Sequence, residues 1–406
     1  MKKMKIDRAK FLQEGYLVLR EVVPADRLVS LRAESELLVE RQKARWVAER
    51  AADDPPGGVW ETSAQPRLQL GTTPGLVDAA TAGFITFWLH ENTLGVSREL
   101  LQLPQAAVTE MMMMCNPISD RGPAAWHRDI HPFDTAPLQG YIDDIAENGP
   151  RYVQWNIPLY DDDVLWVVPG SHLRLNTEAE QRQLDRDPRV PLPGAVQTQL
   201  RAGDGVVYIT PILHWGSNYS AKLRRTLHGG YCPFTAYADL SFSAHLAEAV
   251  REAFAGFARQ SARTQDLTET VLRAALAGHG FREGLEALQS GLGDKGKWLL
   301  TVYLCKAAGY IHALHNPQAG DVDPALHGSA QNTHATTLNW GPAFAERFSA
   351  AEAAALWRRF AGLDAALQTG EHHVAGFQGG PVPYHFNQLP TDLDLDSFVD
   401  SWAEKP

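Results

Sequence analysis

The chain has 406 residues, of which 44% are hydrophobic and 21% charged, and its formal net charge is −11. This composition predicts a soluble globular protein with one large domain or two to three ordinary ones. The acidic balance argues against nucleic acid or an anionic membrane as the main partner. No apolar run approaches the roughly 18 to 20 residues that a membrane span requires.

The three cysteines (Cys115, Cys232 and Cys305) are far apart and odd in number. They form neither a disulfide framework nor a CxxC metal motif, so we expect a reducing, cytoplasmic setting. The first 19 residues carry basic side chains but no continuous apolar segment and no small-residue cleavage site. This pattern favours mature protein over a secretory signal.

The N-terminal part of the chain mixes helix and strand patterns. Residues 5–47 predict a helical turn, a short strand at Tyr16–Leu19 and a long helix opened by Pro24. Residues 50–75 are rich in Pro, Gly and charge, which predicts a loop, and a helix is expected between about residues 76 and 102.

Between about residues 107 and 235, short apolar runs alternate with turn signals such as NP, RGP, PG and GDG. The runs are AVTEMMMMC, RYVQWNIPLY, VLWVVPGSH, DGVVYITPI and RRTLHGGYC. Short strands at this spacing favour an antiparallel barrel or sandwich over a parallel doubly wound sheet.

After about residue 240 the pattern becomes helical again. The sequences Asp266-Leu-Thr-Glu269 and Ser349-Ala-Ala-Glu352 resemble capping boxes and predict two helix starts. Residues 316–342 and 371–395 are rich in Gly, Pro, Asn and His, which predicts loops.

The segment Trp126-His127-Arg128-Asp129 is the strongest candidate for chemistry. In an extended segment His127 and Asp129 point to the same face, and Arg128 to the other. One imidazole and one carboxylate on one side are two-thirds of a facial triad, which a distant imidazole would complete. Alone, an H-x-D pair is weak evidence, since such pairs are common on protein surfaces.

Further along, Gly203–Ile209 predicts a turn leading into a buried strand, and His214 follows it. Arg224 comes ten residues later in another β-prone run. A guanidinium at this place suits the far carboxylate of a dicarboxylate whose other end chelates the metal.

Taken together, these segments resemble the phytanoyl-CoA dioxygenase family of non-haem iron oxygenases. The resemblance covers about residues 7–235 and lies in FLQEGYLVLREVV, WHRDIHPF, VLWVVPGSH, GDGVVYITPILHWGSN and RRTLHGGY. It implies a mixed α and β fold with a double-stranded β-helix core (a cupin-like jelly roll) and flanking helices over residues 1–240. A mainly helical C-terminal extension, residues 241–406, would pack on this core.

The resemblance also implies roles for individual residues. His127, Asp129 and His214 would bind iron(II), and Arg224 would bind the cosubstrate 2-oxoglutarate, with Arg225 as the alternative. Trp155 and Met113 would contact the cosubstrate, although core packing explains both equally well.

Several other histidine and aspartate residues are alternative candidates for metal or substrate contacts. His131 and Asp134 form a second H-x-x-D group, but Pro132 argues against an interior strand there, so His131 and Phe133 are expected at the pocket mouth. His228 is expected to be packed or hydrogen-bonded. The acidic run Asp161–Asp163 is interpreted as a solvated turn. His372, His373 and His385 lie in the C-terminal extension and are not expected to form a second metal site.

The function that follows is an iron(II)- and 2-oxoglutarate-dependent dioxygenase. It would hydroxylate an unactivated carbon of a small organic substrate with O2 and release succinate and CO2. The carboxylate of Asp129 disfavours halogenation, which in related enzymes needs a small residue there. The alternatives are an iron oxygenase that dispenses with 2-oxoglutarate and a non-catalytic binding protein. The extension is expected to form a lid or a homo-oligomer contact.

Overall fold

The structure, a computed structural model, describes residues 4–129, 138–233, 240–322, 341–367, 376 and 394–402. It divides into two compact units. The first comprises residues 1–128, 151–172 and 176–258, and the second residues 129–150, 173–175 and 259–406. The division predicted between residues 240 and 241 stays a prediction.

The first unit contains two antiparallel sheets in the described residues. Their strands are β1 (Tyr16–Leu19), β2 (Arg67–Gln69), β3 (Ala107–Cys115), β4 (Val153–Pro158), β5 (Trp166–Val167), β6 (Val196–Gln197), β7 (Gly205–Tyr208), β8 (His214–Trp215) and β9 (Arg225–Cys232). The larger sheet has the order β1-β7-β4-β9-β3-β2 and the smaller one β6-β5-β8. The expected antiparallel, mixed α and β fold is confirmed.

Helices precede and follow the strands along the chain and make up most of the second unit. They are α1 (Arg8–Glu14), α2 (Ala25–Glu49), α3 (Val59–Thr62), α4 (Ala82–Thr86), α5 (Val96–Leu101), α6 (Leu138–Asn148), α7 (Glu178–Arg186), α8 (Glu248–Ala277), α9 (Phe281–Leu288), α10 (Asp294–His315), α11 (Pro342–Ala345), α12 (Ala350–Leu367) and α13 (Leu395–Asp400). The helix expected over residues 76–102 is instead a series of short α, 3-10 and π turns.

The two faces of the larger sheet have different neighbours. Tyr208 and Val206 on β7 pack against two residues of the smaller sheet region. Val167 belongs to β5, and Leu165 directly precedes this strand. We call this face of the larger sheet the inner face. Directly opposite residues of an antiparallel pair share a face, so Gln154, which pairs with Tyr208, also lies on it.

The other face of the larger sheet, the outer face, packs against helices. Trp155 lies here, opposite Val207, and donates its indole N–H to the hydroxyl of Ser97 in α5 at 2.9 Å. On β9 the outer-face position next to Trp155 is Gly229, where a Cβ would lie 2.0 Å from the carbonyl oxygen of Glu110 in β3 and 2.9 Å from the ring of Trp88. The backbone of the neighbouring strand, together with Trp88, therefore leaves no room for a side chain at this position.

The junction between α1 and β1 depends on the VVPGSH segment. Gly15 ends α1 with φ +83° and donates its N–H to the carbonyl of Phe11. A Cβ at Gly15 would lie 2.4 Å from Nδ1 of His172, whose Nε2 bonds the carbonyl of Leu12 at 3.0 Å. His172 thus holds the end of α1 in place, which supports a structural role for this segment.

In the second unit, α10 is buried on nearly all sides and packs against α6 and α12. Glu147 of α6 accepts the backbone N–H groups of Lys295 and Gly296 in the first turn of α10 at 2.9 and 3.2 Å. A carboxylate at this end of a helix also interacts favourably with the helix dipole. None of the helices in the described ranges combines the length and apolarity of a bilayer-crossing segment.

The two predicted capping boxes had different outcomes. Ser349 and Glu352 bond each other's backbone N–H at the start of α12, as predicted. The helix start predicted at Asp266 is wrong, because α8 runs through this position without interruption. There Glu269 pairs instead with Arg273, at 2.7 Å, and with Arg347, at 3.0 Å.

Candidate metal centre

The H-x-D segment lies beside β8 in an antiparallel arrangement. Isolated bridges join Pro123 to Ser217 and His127 to His214. Because His127 and His214 are directly opposite each other, their side chains leave the backbone on the same side. The ring centroids are 4.4 Å apart.

Asp129 completes the group. One ligand atom from each of His127, Asp129 and His214 lies within 4.8 Å of the other two. His214 is buried, and His127 and Asp129 are half-buried. The three residues that the sequence singles out as metal ligands are therefore brought together, and two imidazoles with one carboxylate are a donor set that suits non-haem iron.

The hydrogen bonds of the two histidines determine which ring nitrogen is available. Nδ1 of His127 lies 2.8 Å from the carbonyl of Ala125, and Nδ1 of His214 lies 2.9 Å from the carbonyl of Ile212. A carbonyl only accepts, so Nδ1 carries the proton in each ring and Nε2 keeps its lone pair for a metal. This carbonyl support is the usual arrangement around metal-binding histidines.

The segment that carries the ligands is held from its other side. Arg128 is fully buried and donates to the carbonyls of Ser171 and Pro211 and to the amide oxygen of Asn176. Trp126 stacks on Trp215 with ring centroids 4.8 Å apart. As predicted, Arg128 faces away from the ligands, and its contacts fix the segment between them.

Arg224 and Arg225 face opposite sides of the sheet, which separates the two candidates for cosubstrate binding. Arg225 donates from Nη2 to Glu36 of α2 at 3.0 Å, on the outer face. Arg224 precedes β9 and donates from Nε to Asp162 at 3.0 Å, and Thr226 donates to the same carboxylate oxygen at 3.1 Å. Arg224 also lines a cavity with Asn116, Asp162, Ser217 and Lys222 among others.

The expectation for Trp155 and Met113 needs correction. Trp155 bonds Ser97 of α5, and Met113 pairs with Leu227, whose side chain shares the outer face with that of Trp155. Tyr208, which packs 5.2 Å from the ring of His214, marks the inner face as the side of the metal group. Both predicted contact residues point away from it, and core packing accounts for them.

Sequence reasoning missed two sets of inner-face residues. Asp162 was interpreted as part of a solvated turn, but it is buried and bonded to Arg224. The phenol of Tyr208 accepts from Gln154 at 2.7 Å, and Gln154 accepts from Tyr152 at 3.0 Å. The alternation of polar residues in RYVQWN, at residues 151–156, was the available signal for the second set.

The other candidates have mixed outcomes. His228 is buried with Nδ1 2.6 Å from the amide oxygen of Asn156, as expected for a hydrogen-bonded histidine. Six candidates lie outside the described residues, namely His131, Phe133, Asp134, His372, His373 and His385.

The family whose model matches this chain is consistent with the metal group described above. The family model described as phytanoyl-CoA dioxygenase (PhyH) matches residues 11–226, more than half of the chain. The chain belongs to this family. The predicted family is thereby confirmed, and iron and 2-oxoglutarate, the predicted cofactors, are those of its oxygenase class. The His-Asp-His group offers the ligands for the metal.

No curated protein matches the chain. Among solved structures, the 2-oxoglutarate-dependent epimerase SnoN from nogalamycin biosynthesis is similar at 16% identity and a TM-score of 0.40, covering 59% of this chain and 86% of SnoN. HygX from Streptomyces hygroscopicus with nickel and 2-oxoglutarate bound has 19% identity and a TM-score of 0.40, covering 57% and 89%. EctD from S. alaskensis with bound Fe has 17% identity and a TM-score of 0.36, covering 57% and 78%.

Proposed function

We propose that this protein is an iron(II)- and 2-oxoglutarate-dependent dioxygenase that hydroxylates an unactivated carbon of a small organic molecule. The observation that carries the proposal is the group of His127, Asp129 and His214, with ligand atoms within 4.8 Å of one another and both Nδ1 atoms bonded to carbonyls. The family fixes the class of enzyme, and the hydroxylation itself is our inference.

His127 and His214 would bind the iron through Nε2, and Asp129 through a carboxylate oxygen. Three protein ligands on one side leave coordination positions for the cosubstrate and O2. When bound, the metal and the keto acid supply the oxidising chemistry, which the side chains themselves lack. The protein orients the reactants and limits the access of water, with Tyr208 packed beside His214.

Arg224 would bind the far carboxylate of 2-oxoglutarate. The paired segments run from the His127–His214 bridge to the Pro123–Ser217 bridge, and Ser217 lines the cavity of Arg224. The two bridges are three to four residues apart, and at roughly 3.3 Å per residue their separation is about 10 to 13 Å. A five-carbon keto acid together with an arginine side chain spans a distance of this order.

The fold we propose for the first unit is the double-stranded β-helix. Support comes from two antiparallel sheets whose facing side chains form one hydrophobic cluster, with the metal group beside the smaller sheet. The expected partners are 2-oxoglutarate, O2 and a small-molecule substrate. A role of the C-terminal extension as a lid or homo-oligomer contact stays a prediction.

Anaerobic reconstitution tests this function. Native protein with iron(II) and 2-oxoglutarate should develop the visible charge-transfer band of a chelated keto acid, and exposure to O2 should release succinate. Asp129→Ala and Arg224→Ala should both weaken the band. Bound iron without a band would favour an oxygenase that does not use 2-oxoglutarate, and absence of bound iron would favour a non-catalytic protein.

A further inference from the structure

A buried carboxylate holds the guanidinium of Arg224. The side chains of Arg224 and Asp162 are 8% and 7% exposed, and Nε of Arg224 lies 3.0 Å from Oδ2 of Asp162. The hydroxyl of Thr226, two residues further along the chain and in β9, donates to this oxygen at 3.1 Å. A single carboxylate oxygen therefore bonds two inner-face side chains.

Asp162 is itself fixed by its own loop. Its second oxygen, Oδ1, accepts the backbone N–H of Val164 at 2.9 Å. Its backbone exchanges two hydrogen bonds of 2.9 Å with Leu200. Asp162 thus has a fixed main chain and both of its carboxylate oxygens occupied, so it provides a rigid anchor rather than a mobile counterion.

The hydrogen bond to Asp162 leaves the two terminal nitrogens of the Arg224 guanidinium available for a ligand. Asp162 takes only Nε, and Nη1 and Nη2 of Arg224 form no hydrogen bond to any residue that the structure describes. Arg224 lines the cavity that also contains Asn116, Ser217 and Lys222. The planar end-on fork of an arginine binds a carboxylate through two parallel N–H groups, provided its plane is fixed.

We propose that Asp162 is a positioning residue. Together with Thr226 it fixes the plane and the depth of the Arg224 guanidinium, so that the site discriminates between keto dicarboxylates of different length. The inference rests on the proposed function, because it assigns Arg224 to the cosubstrate. A keto acid is held by the metal at one end and by Arg224 at the other. One methylene more or less then misplaces the far carboxylate only if Arg224 cannot move.

The negative charge of Asp162 and the orientation that it imposes on Arg224 affect ligand affinity in different ways, so the two effects can be measured separately. Removing the negative charge of Asp162 strengthens the attraction of Arg224 for every dicarboxylate of equal charge by the same factor. Removing the anchor lets the guanidinium follow the longer ligand, so it changes the ratio of two affinities. The ratio therefore reports positioning, whereas a single affinity combines both effects.

The experiment measures dissociation constants of 2-oxoglutarate and 2-oxoadipate, which is one methylene longer, for nickel-loaded protein by calorimetry. Nickel(II) replaces iron so that no turnover occurs. Native protein should prefer 2-oxoglutarate by about 10- to 200-fold, the usual range for one methylene in a fitted site, and Asp162→Asn should reduce the preference to about threefold or less. Asp53→Asn is the control for the loss of one negative charge, since Asp53 is exposed and does not line the cavity of Arg224.

Thr226→Val is the second variant, because it removes one bond to the same oxygen while keeping the carboxylate and the side-chain shape. It should lower the preference in the same direction by a smaller factor, even if Asp162→Asn fails to fold. An unchanged preference in the folded variants, or native protein without any preference, would overturn the inference alone. Native protein that binds neither keto acid would instead overturn the proposed function, and the inference with it.

Discussion

His127 and His214 are joined through their backbones as well as through the site they share. The N–H of His127 donates to the carbonyl of His214 at 2.9 Å, and the N–H of His214 donates back at 3.0 Å. Two candidate ligands from distant parts of the chain are thus held at one rung of an antiparallel ladder. Their separation is set by main-chain hydrogen bonds, so the metal group requires little reorganisation before a metal binds.

The first prediction concerns the metal. Asp129→Ala and His214→Ala should each abolish stoichiometric iron(II) binding under anaerobic conditions, since altering even an outer partner of a ligand costs about 10- to 100-fold in affinity. Iron content after gel filtration measures this. His245→Ala is the control, because His245 is exposed. Full iron content in either ligand variant would refute the assignment.

The second prediction separates the two adjacent arginines. Arg224→Lys keeps the charge but loses the planar fork, so 2-oxoglutarate should bind about tenfold or more weakly. Arg225→Lys should leave this affinity unchanged and lower stability instead, because Arg225 joins β9 to Glu36 of α2. Calorimetry of the nickel-loaded proteins and urea unfolding measure the two effects. The opposite assignment would be correct if only Arg225→Lys weakened binding.

The third prediction tests the placement of Trp155 on the outer face. Trp155→Phe removes the bond to Ser97, and should reduce the free energy of unfolding by about 1–3 kcal/mol through the lost hydrogen bond. The affinity for 2-oxoglutarate should stay native. Ser97→Ala is the matched variant, since it removes the other partner of the same bond. A substantial loss of 2-oxoglutarate affinity in Trp155→Phe would show that Trp155 contacts the cosubstrate.

The fourth prediction is a pH dependence of stability from His172. Burial lowers the pKa of His172 to about 4. An unfolded histidine has a pKa of about 6.5, so on acidification the unfolded state takes up the proton first, and stability falls by about 2 kcal/mol between pH 7 and pH 5. The loss is complete only below pH 4.

Urea unfolding of metal-free native protein and His172→Gln across this pH range tests the effect. Glutamine can still donate to the carbonyl of Leu12, which Nε2 of His172 contacts, but it does not titrate. The difference in unfolding free energy between the two proteins should therefore shrink from pH 7 to pH 5. A constant difference would show that His172 does not contribute to acid sensitivity.

Local pattern was enough to predict most strands and the pairing of His127 with Asp129 in one candidate site. The apolar runs predicted β3, β4, β7 and β9, and the i, i+2 spacing of His127 and Asp129 placed both on one face of an extended segment. Such features depend only on neighbours along the chain. The capping box at Ser349 succeeded for the same reason, whereas the one at Asp266 failed because a longer helix formed across it.

Which face of a strand is the inner one was decided only by the tertiary structure. The period of two residues shows that Arg224 and Arg225, or Gln154 and Trp155, point to opposite sides, but it does not show which side meets the metal group. That depends on the register with β7 and on the smaller sheet that covers one face. Asp162 likewise looks solvated in the sequence Asp161-Asp162-Asp163. It is buried because the distant Arg224 and Thr226 supply the charge and the hydrogen bonds that a buried carboxylate requires.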